Sequence, residues 1–411
     1  MTATPASPPS AAHWIKTNLF HSRRDAVLTI VFGALAVFLL IKVFQFVFIS
    51  AEWEIIQRNL KLLLTGRWPT DQLDTLSVAI VGFTFWGGLI AGTIGGRQTL
   101  RGTSAVAGMS LAERLADLGQ RFGLIIATAL LLLSLTTSGG PWLLVGSMAL
   151  AGVVGTVIGR QFGNRLLPVW GTRIGVLVLM LIPIGLYVLM INAVPLEDWE
   201  GFIFSISSAA AGIALSFPLG VLLALGRRSK LVLLKAVSIV YIEFVRGSPL
   251  FVLLLLANVS LEFFVPAVLA PSKVVRAIVT FTLFTAAYIA EIVRGGLQSV
   301  PNGQIEAAKA MGLSPAKQMR LIVLPQALRN VIPAQIGQFI SLFKDTTLAG
   351  LALGILDLLG AGQIMTQQDD FRGQGLIIEA LVFVGFLFWV GSFTMSRESQ
   401  RLERKLGVGT R

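Results

Sequence analysis

Ten stretches of the chain stay apolar for roughly the 20 residues a helix needs to cross a bilayer. They are 27–49, 75–96, 122–137, 141–159, 174–194, 203–225, 231–258, 274–293, 332–352 and 375–396. In hydrocarbon, backbone polar groups must be satisfied within their own segment, so such stretches become helices. The expected class is therefore an all-α integral membrane protein of about ten transmembrane helices. Charged residues make up only 13% of the chain, about half the usual soluble share of roughly 25%. There is no Cys, and both His, His13 and His21, lie before the first apolar stretch. Thiolate chemistry, disulfides and His-ligated metals inside the membrane are excluded. No catalytic residue and no metal ligand is nominated, and the chain is not expected to be an enzyme.

The net charge of +12 is a topology signal and implies no nucleic-acid partner. Lys and Arg crowd the N-terminal tail, loops 97–121, 160–173, 226–230 and 294–331, and the C-terminal tail. The loop Glu197-Asp198-Trp199-Glu200 holds neither. Basic loops stay in the cytoplasm, so both termini are expected there. Residues 1–26, with Pro5, Pro8 and Pro9, read as a disordered cytoplasmic tail. The apolar run that follows is too long for a signal-peptide core of about 7–15 residues and reads as a retained anchor.

Residues 27–195 form an expected accessory region of five membrane helices. Its third and fourth spans make a hairpin through Ser138-Gly139-Gly140-Pro141, and Gly88, Gly92 and Gly96 give the second span a packing face. Between the first two spans, Trp53, Ile56, Leu60 and Leu63 oppose Glu52, Glu54, Arg58 and Lys61 at helical spacing. That pattern predicts an interfacial amphipathic helix on the outer surface. Residues 203–405 form a second region, and a chain of 203–411 is expected to keep some activity.

The long polar segment 294–331 carries the most informative pattern. Residues 304–311 read as a short helix, closed by Gly312 as a left-handed cap. Ser314-Pro315 then supplies an N-cap and first helical residue for a second helix ending at Leu324-Pro325. Two capped helices with exposed Ile305, Met311 and Leu313 make a rigid knob that needs a partner.

The sequence Glu306-Ala307-Ala308-x3-Gly312-x9-Ile322-x-Leu324-Pro325 resembles the EAA loop of permease subunits of binding-protein-dependent ABC importers. Glu243-Phe244-Val245-Arg246-Gly247-Ser248-Pro249-Leu250 and Lys344-Asp345-Thr346-Thr347-Leu348 look like the polar, or general, L-amino-acid branch. The resemblance covers about residues 203–405 and implies an ABC permease core formed by the C-terminal five helices. It implies a bacterial inner-membrane location and a coupling role for Glu306, Ala307, Ala308, Gly312, Ile322, Leu324 and Pro325. The implied partners are a cytoplasmic ABC ATPase dimer, a second and different homologous permease, and a periplasmic amino-acid-binding protein. No cofactor is expected on this chain; ATP and Mg would sit on the ATPase.

In the ninth span Gln335, Gln338, Ser341 and Asp345 advance by helical steps to form one polar face, which Thr346 extends. Asp345 lies about 18 Å past Pro333 along a helix. A charge at such depth costs about 2.5–3.5 kcal/mol on insertion scales and by default marks function. A substrate path of Gln338, Ser341, Lys344, Asp345, Thr346 and Thr347 is the expectation, with Lys344 for a carboxylate and Asp345 for an ammonium. Pairing of those two charges with neighbouring helices is the structural alternative. Glu291 with Arg294, and Glu243 with Arg246, read as local salt bridges, and Gly247-Ser248-Pro249 as a kink in the seventh span.

No G-x4-G-K-[ST] phosphate loop occurs in the chain, so energy must come from another subunit. The runner-up class is an ion-coupled secondary transporter of small polar solutes. It would call for repeat symmetry between the halves, which the chain lacks.

Overall fold

The computed structural model describes residues 11–100, 111–136, 140–165, 169–260, 265 and 270–407. It forms two compact units, residues up to Glu54 and residues from Ile55. In the first unit, α1 spans Ala11–Leu19 and α2 spans Arg23–Gln45. Residues 1–10 of the tail lie outside the described residues, and the remainder is largely helical. Ser22 starts α2 with a capping box: its hydroxyl accepts from the Asp25 N–H at 3.2 Å, and Asp25 Oδ2 accepts from the Ser22 N–H at 3.1 Å. Through a π-helical turn, Phe46–Ser50, this helix is long enough to cross a membrane, and α2 itself buries no residue.

The second unit comprises α3 Glu54–Thr65, α4 Leu73–Leu100, α5 Leu111–Ser134, α6 Gly140–Arg165 and α7 Val169–Ala193. It continues with α8 Gly201–Arg227, α9 Val232–Gly247, α10 Leu250–Val259 and α11 Lys273–Gln298. The chain closes with α12 Asn302–Ala310, α13 Pro315–Gln318, α14 Leu324–Asp345, α15 Leu348–Leu353, α16 Leu358–Met365 and α17 Ile377–Leu406. Each of the ten apolar stretches carries a helix. Among the described residues, six helices are long and apolar enough to span, and α9 with α10, bent by 104°, makes a seventh if the pair is one span. That bend falls at Gly247-Ser248-Pro249, where proline cannot continue the backbone ladder. The hairpin turn at 137–139 lies outside the described residues.

Packing registers support the alternation of spans. A Cβ on Gly88 would meet Gly152 O at 2.4 Å and one on Gly92 would meet Thr156 O at 2.2 Å. Reciprocally, Gly155 faces Phe85 O at 2.3 Å and Gly159 faces Leu89 O at 2.2 Å. Both registers rise together, so α4 and α6 run parallel, as second and fourth spans must. The approach is backbone on backbone, the geometry that only glycine permits. Gly92→Leu is expected to prise the pair apart and cost about 1–3 kcal/mol or more. A thermal melt of the solubilised protein checks this; an unshifted midpoint would contradict the seam.

In the C-terminal half, Gly212 faces Phe281 and Leu342, and Gly220 faces Ile289. Helices α8 and α11 therefore run parallel. Gly296 meets Ala327 and Val331, so α14 runs antiparallel to α11. Phe204, Phe281, Leu342 and Leu353 are buried in one core cluster; Ala224, Ile289, Val293 and Ala327 form another nearer the knob.

The amphipathic helix α3 is present, but its apolar face is not laid on lipid. Ile55, Ile56, Leu60 and Leu63 are buried in protein. Gln368 donates to Asn59 Oδ1 at 2.7 Å, and Arg58 pairs with Asp370 at 3.2 Å. Helix α3 thus roofs the segment leading into α17. Beside it, Gly66, at φ +59°, brings Arg67 onto Glu200. The Arg67 N–H donates to Glu200 Oε2 at 3.1 Å and its Nε to Oε1 at 3.0 Å. This hydrogen bond, followed by the Glu200 charge, raises the Arg67 pKa above its ordinary value. Fully buried Trp68 and Trp199 pack behind the pair with ring centroids 5.7 Å apart. Gly201 N–H then donates to Leu356 O at 2.7 Å, fastening the loop after α7 to the segment after α15.

Candidate functional site

The 302–323 segment folds as two short helices, with the predicted cap between them. Gly312 has φ +73°, and the Leu313 N–H donates back to Ala308 O at 3.1 Å. Ser314 is the N-cap and Pro315 the first residue of α13. Buried Gln318 donates from Nε2 to Leu313 O at 2.6 Å, locking the turn. The second helix does not stop at Pro325. It passes through a π-helical turn, Met319–Val323, directly into α14, whose first turn holds Pro325.

This continuity changes which apolar residues face outward. Ile305 and Met319 pack on buried Val300, Val323 and Ala327, and Leu313 is half-buried. The exposed apolar pair is Met311, 79% exposed, and Leu321, 57% exposed. Leu321 was missed because the π turn rotates the face that a regular helix would present. Glu306, Ala307, Gly312 and Pro325 are exposed, Ile322 and Leu324 half-buried, and Ala308 buried under the knob.

Near the knob, Glu291 gathers cations from three helices. It pairs with Arg294 one turn on, with Arg227 at 3.4 Å and with Arg246 at 3.7 Å. The sequence pairing of Glu243 with Arg246 is replaced by Glu243 with Arg227 at 2.9 Å, and Arg246 instead lies over the Tyr288 ring at 5.6 Å. The partners converge because α8 and α11 run parallel with α9 beside both.

The ninth span departs most from a plain helix. Helix α14 ends at Asp345, and Thr346 and Thr347 turn their hydroxyls back to Phe343 O at 2.8 Å and Lys344 O at 2.9 Å. Hydroxyls satisfying the preceding carbonyls compete with helix continuation. The polar face therefore terminates in a turn and is not extended by Thr346. Leu342 is level with Phe281, so Asp345 sits about 4.5 Å further on, or about 7–8 Å short of the Lys273 end of α11.

Lys344 is exposed, Asp345 and Thr347 are half-buried and Thr346 is fully buried. Gln338 and Ser341 are half-buried, while buried Gln335 has an unpartnered Nε2. Among the described residues neither Lys344 nor Asp345 forms a salt bridge with a neighbouring helix. Lys344 is favourably placed at the negative end of α14, and Asp345 is not.

Residues 216–408 match the sequence model for the inner membrane component of binding-protein-dependent transport systems. The chain is 33% identical over 433 residues to the glutamate/glutamine/aspartate/asparagine transport system permease protein BztC of Rhodobacter capsulatus. That similarity covers 98% of this chain and 95% of the relative. It is 37% identical to the inner membrane amino-acid ABC transporter permease protein YhdY of Escherichia coli, over 65% of this chain and 71% of the relative. A crystal structure of an amino acid ABC transporter with histidines is 29% identical, with TM-score 0.45, covering 53% of this chain and 96% of that one. Similarity that spans nearly the whole of one permease, with an exposed two-helix knob inside the matched region, places this chain among the permease subunits of binding-protein-dependent ABC importers, transport subunits without enzymatic activity of their own.

Proposed function

We propose that the chain forms half of the translocation pore of an importer for acidic amino acids and their amides, and that the 302–323 knob receives the force that drives it. Membership in the family brings a multi-pass inner-membrane location, an ATPase and a solute-binding protein. The finer arrangement is our reading. The ATPase is a dimer holding ATP and Mg, and its groove takes Met311 and Leu321, with Glu306, Ala307, Ala308, Gly312, Ile322, Leu324 and Pro325 shaping the contact. A second, homologous permease completes the pore. Both termini face the cytoplasm, and a periplasmic binding protein delivers the amino acid at the end opposite the knob.

Residues 203–405 are the permease core and residues 27–195 an accessory region. Gln338, Ser341, Lys344, Asp345, Thr346 and Thr347 belong to the substrate path. The substrate class follows the name of the BztC relative, and the chemistry of the turn supports it. One exposed ammonium and one half-buried carboxylate, neither in a salt bridge among the described residues, suit a zwitterion.

The knob carries this reading: its left-handed cap, buried Gln318 clamp and exposed Met311 and Leu321 have no use in an isolated chain. Vesicles holding the permease pair and ATPase are expected to accumulate labelled L-glutamate or L-glutamine only with ATP and the binding protein both present. Uptake driven by an ion gradient without ATP would overturn the reading in favour of a secondary transporter.

A further inference from the structure

Helices α8, α11 and α14 meet where a Cβ on Gly212 would lie 3.0 Å from Leu342 and 3.7 Å from Phe281. From that level towards the knob α11 and α14 run antiparallel, so equal steps along the two helices stay level. Thr282 is one residue from Phe281, as Ser341 is from Leu342. Thr285 and Gln338 are each four residues away, or about 6 Å. Gln335 is seven from Leu342, or about 10 Å. Two threonines of α11 therefore climb beside the polar face of α14. Thr285 is 0%, Gln335 5% and Thr282 8% exposed.

A buried hydroxyl in a helix ordinarily donates to a carbonyl of the preceding turn, as Thr280 does to Arg276 O at 2.8 Å. Thr282 Oγ1, Thr285 Oγ1 and Gln335 Nε2 have no hydrogen-bond partner. A polar atom buried without a partner destabilises a fold, whereas an apolar group of the same shape carries no such cost. Three such atoms on neighbouring helices, spread over about two helical turns, mark stability given up for a task performed in another state. Their chemistry restricts that task. A hydroxyl or an amide N–H is neutral and donates to a carboxylate oxygen or to a carboxamide oxygen. A Lys or Arg in the same place would favour the carboxylate.

We propose that Thr282, Thr285 and Gln335 are substrate contacts, a wall of the path that takes the side-chain oxygen of the amino acid and accepts carboxylate and carboxamide alike. It rests on the reading of the chain as an importer of acidic amino acids and their amides. In this structure the wall is shut between α11 and α14. The substrate reaches it when the two helices part, and its oxygens then supply the missing acceptors. As the amino acid advances from the Asp345 turn towards the knob, it passes Thr282, Thr285 and Gln335 in that order.

The test compares isosteric variants in vesicles holding the permease pair and ATPase, with binding protein and ATP. Uptake of labelled L-glutamate and L-glutamine per assembled complex is measured beside the thermal midpoint. Thr285→Val is expected to hold or raise the midpoint while both uptakes fall about tenfold, and Thr285→Ser, which keeps the hydroxyl, should restore most of them. A residue that only packs would lower midpoint and uptake together. Gln335→Glu replaces a neutral donor by a group that repels a carboxylate, so the ratio of L-glutamate to L-glutamine uptake should drop about fivefold from the wild-type value. Should either variant fail to assemble, Thr282→Val takes its place with the expectation given for Thr285→Val. Wild-type uptake by the valine variant and an unchanged ratio in Gln335→Glu would overturn the wall and leave the importer standing. A wild-type complex that imports neither amino acid would overturn both.

Discussion

Gly312→Val is expected to leave the protein inserted and assembled while separating ATP hydrolysis from uptake. A Cβ at Gly312 would meet nothing within 4 Å, so crowding is not the obstacle. The obstacle is φ +73°, a conformation costing an ordinary L-residue about 1–2 kcal/mol and a β-branched one more. The cheapest relief is to unwind the cap, which releases the Leu313 N–H from Ala308 O and swings Met311 off its docking position. Coupled transport should fall at least about tenfold, the equivalent of 1.4 kcal/mol. Gly312→Asn, which tolerates the left-handed region, should retain most of it. The measurement is transported amino acid per ATP hydrolysed in reconstituted vesicles. A wild-type ratio for the valine variant would remove the cap from the coupling mechanism.

The second large effect is expected at the end of α14. Asp345→Asn should weaken recognition of the substrate ammonium, and Lys344→Met that of the carboxylate. Losing one partner of a desolvated charged contact costs about 2–5 kcal/mol, so uptake per assembled complex should fall by more than about tenfold. Thr346, fully buried with its hydroxyl on Phe343 O, holds the turn from behind. Thr346→Val is therefore expected to lower thermal stability and uptake together. Should Asp345→Asn and Lys344→Met also lose stability in proportion to uptake, the turn is scaffolding and the path lies elsewhere.

The helical skeleton was legible because bilayer length and backbone chemistry leave so few choices. Gly88 and Gly92 announced their seam, Gly312 its cap and Pro249 its bend, since each acts through local stereochemistry. What escaped depended on partners distant in sequence. The apolar face of α3 was visible, but periodicity cannot say whether lipid or protein covers it; Asn59 finds Gln368 only through the fold. Arg67 and Glu200 likewise meet across 133 residues. The break after Asp345 escaped for another reason. Lys344-Asp345-Thr346-Thr347 contains neither Gly nor Pro, and the competition between threonine hydroxyls and backbone carbonyls is too evenly balanced to read from residue types.

The unbroken path from Pro315 to Asp345 makes one rod of the surface we propose for the ATPase and the turn we propose for the substrate. Its 31 residues extend about 46 Å at helical rise. A rod of that length works as a lever: a tilt of about 10° at one end displaces the other by roughly 8 Å, more than one helical turn of about 5.4 Å. Pro333, which withholds one backbone hydrogen bond inside the rod, is the point at which such a lever would flex. On the proposed reading, small rocking movements of a nucleotide-driven partner would be enlarged before they reach Lys344 and Asp345, with no change of fold between them.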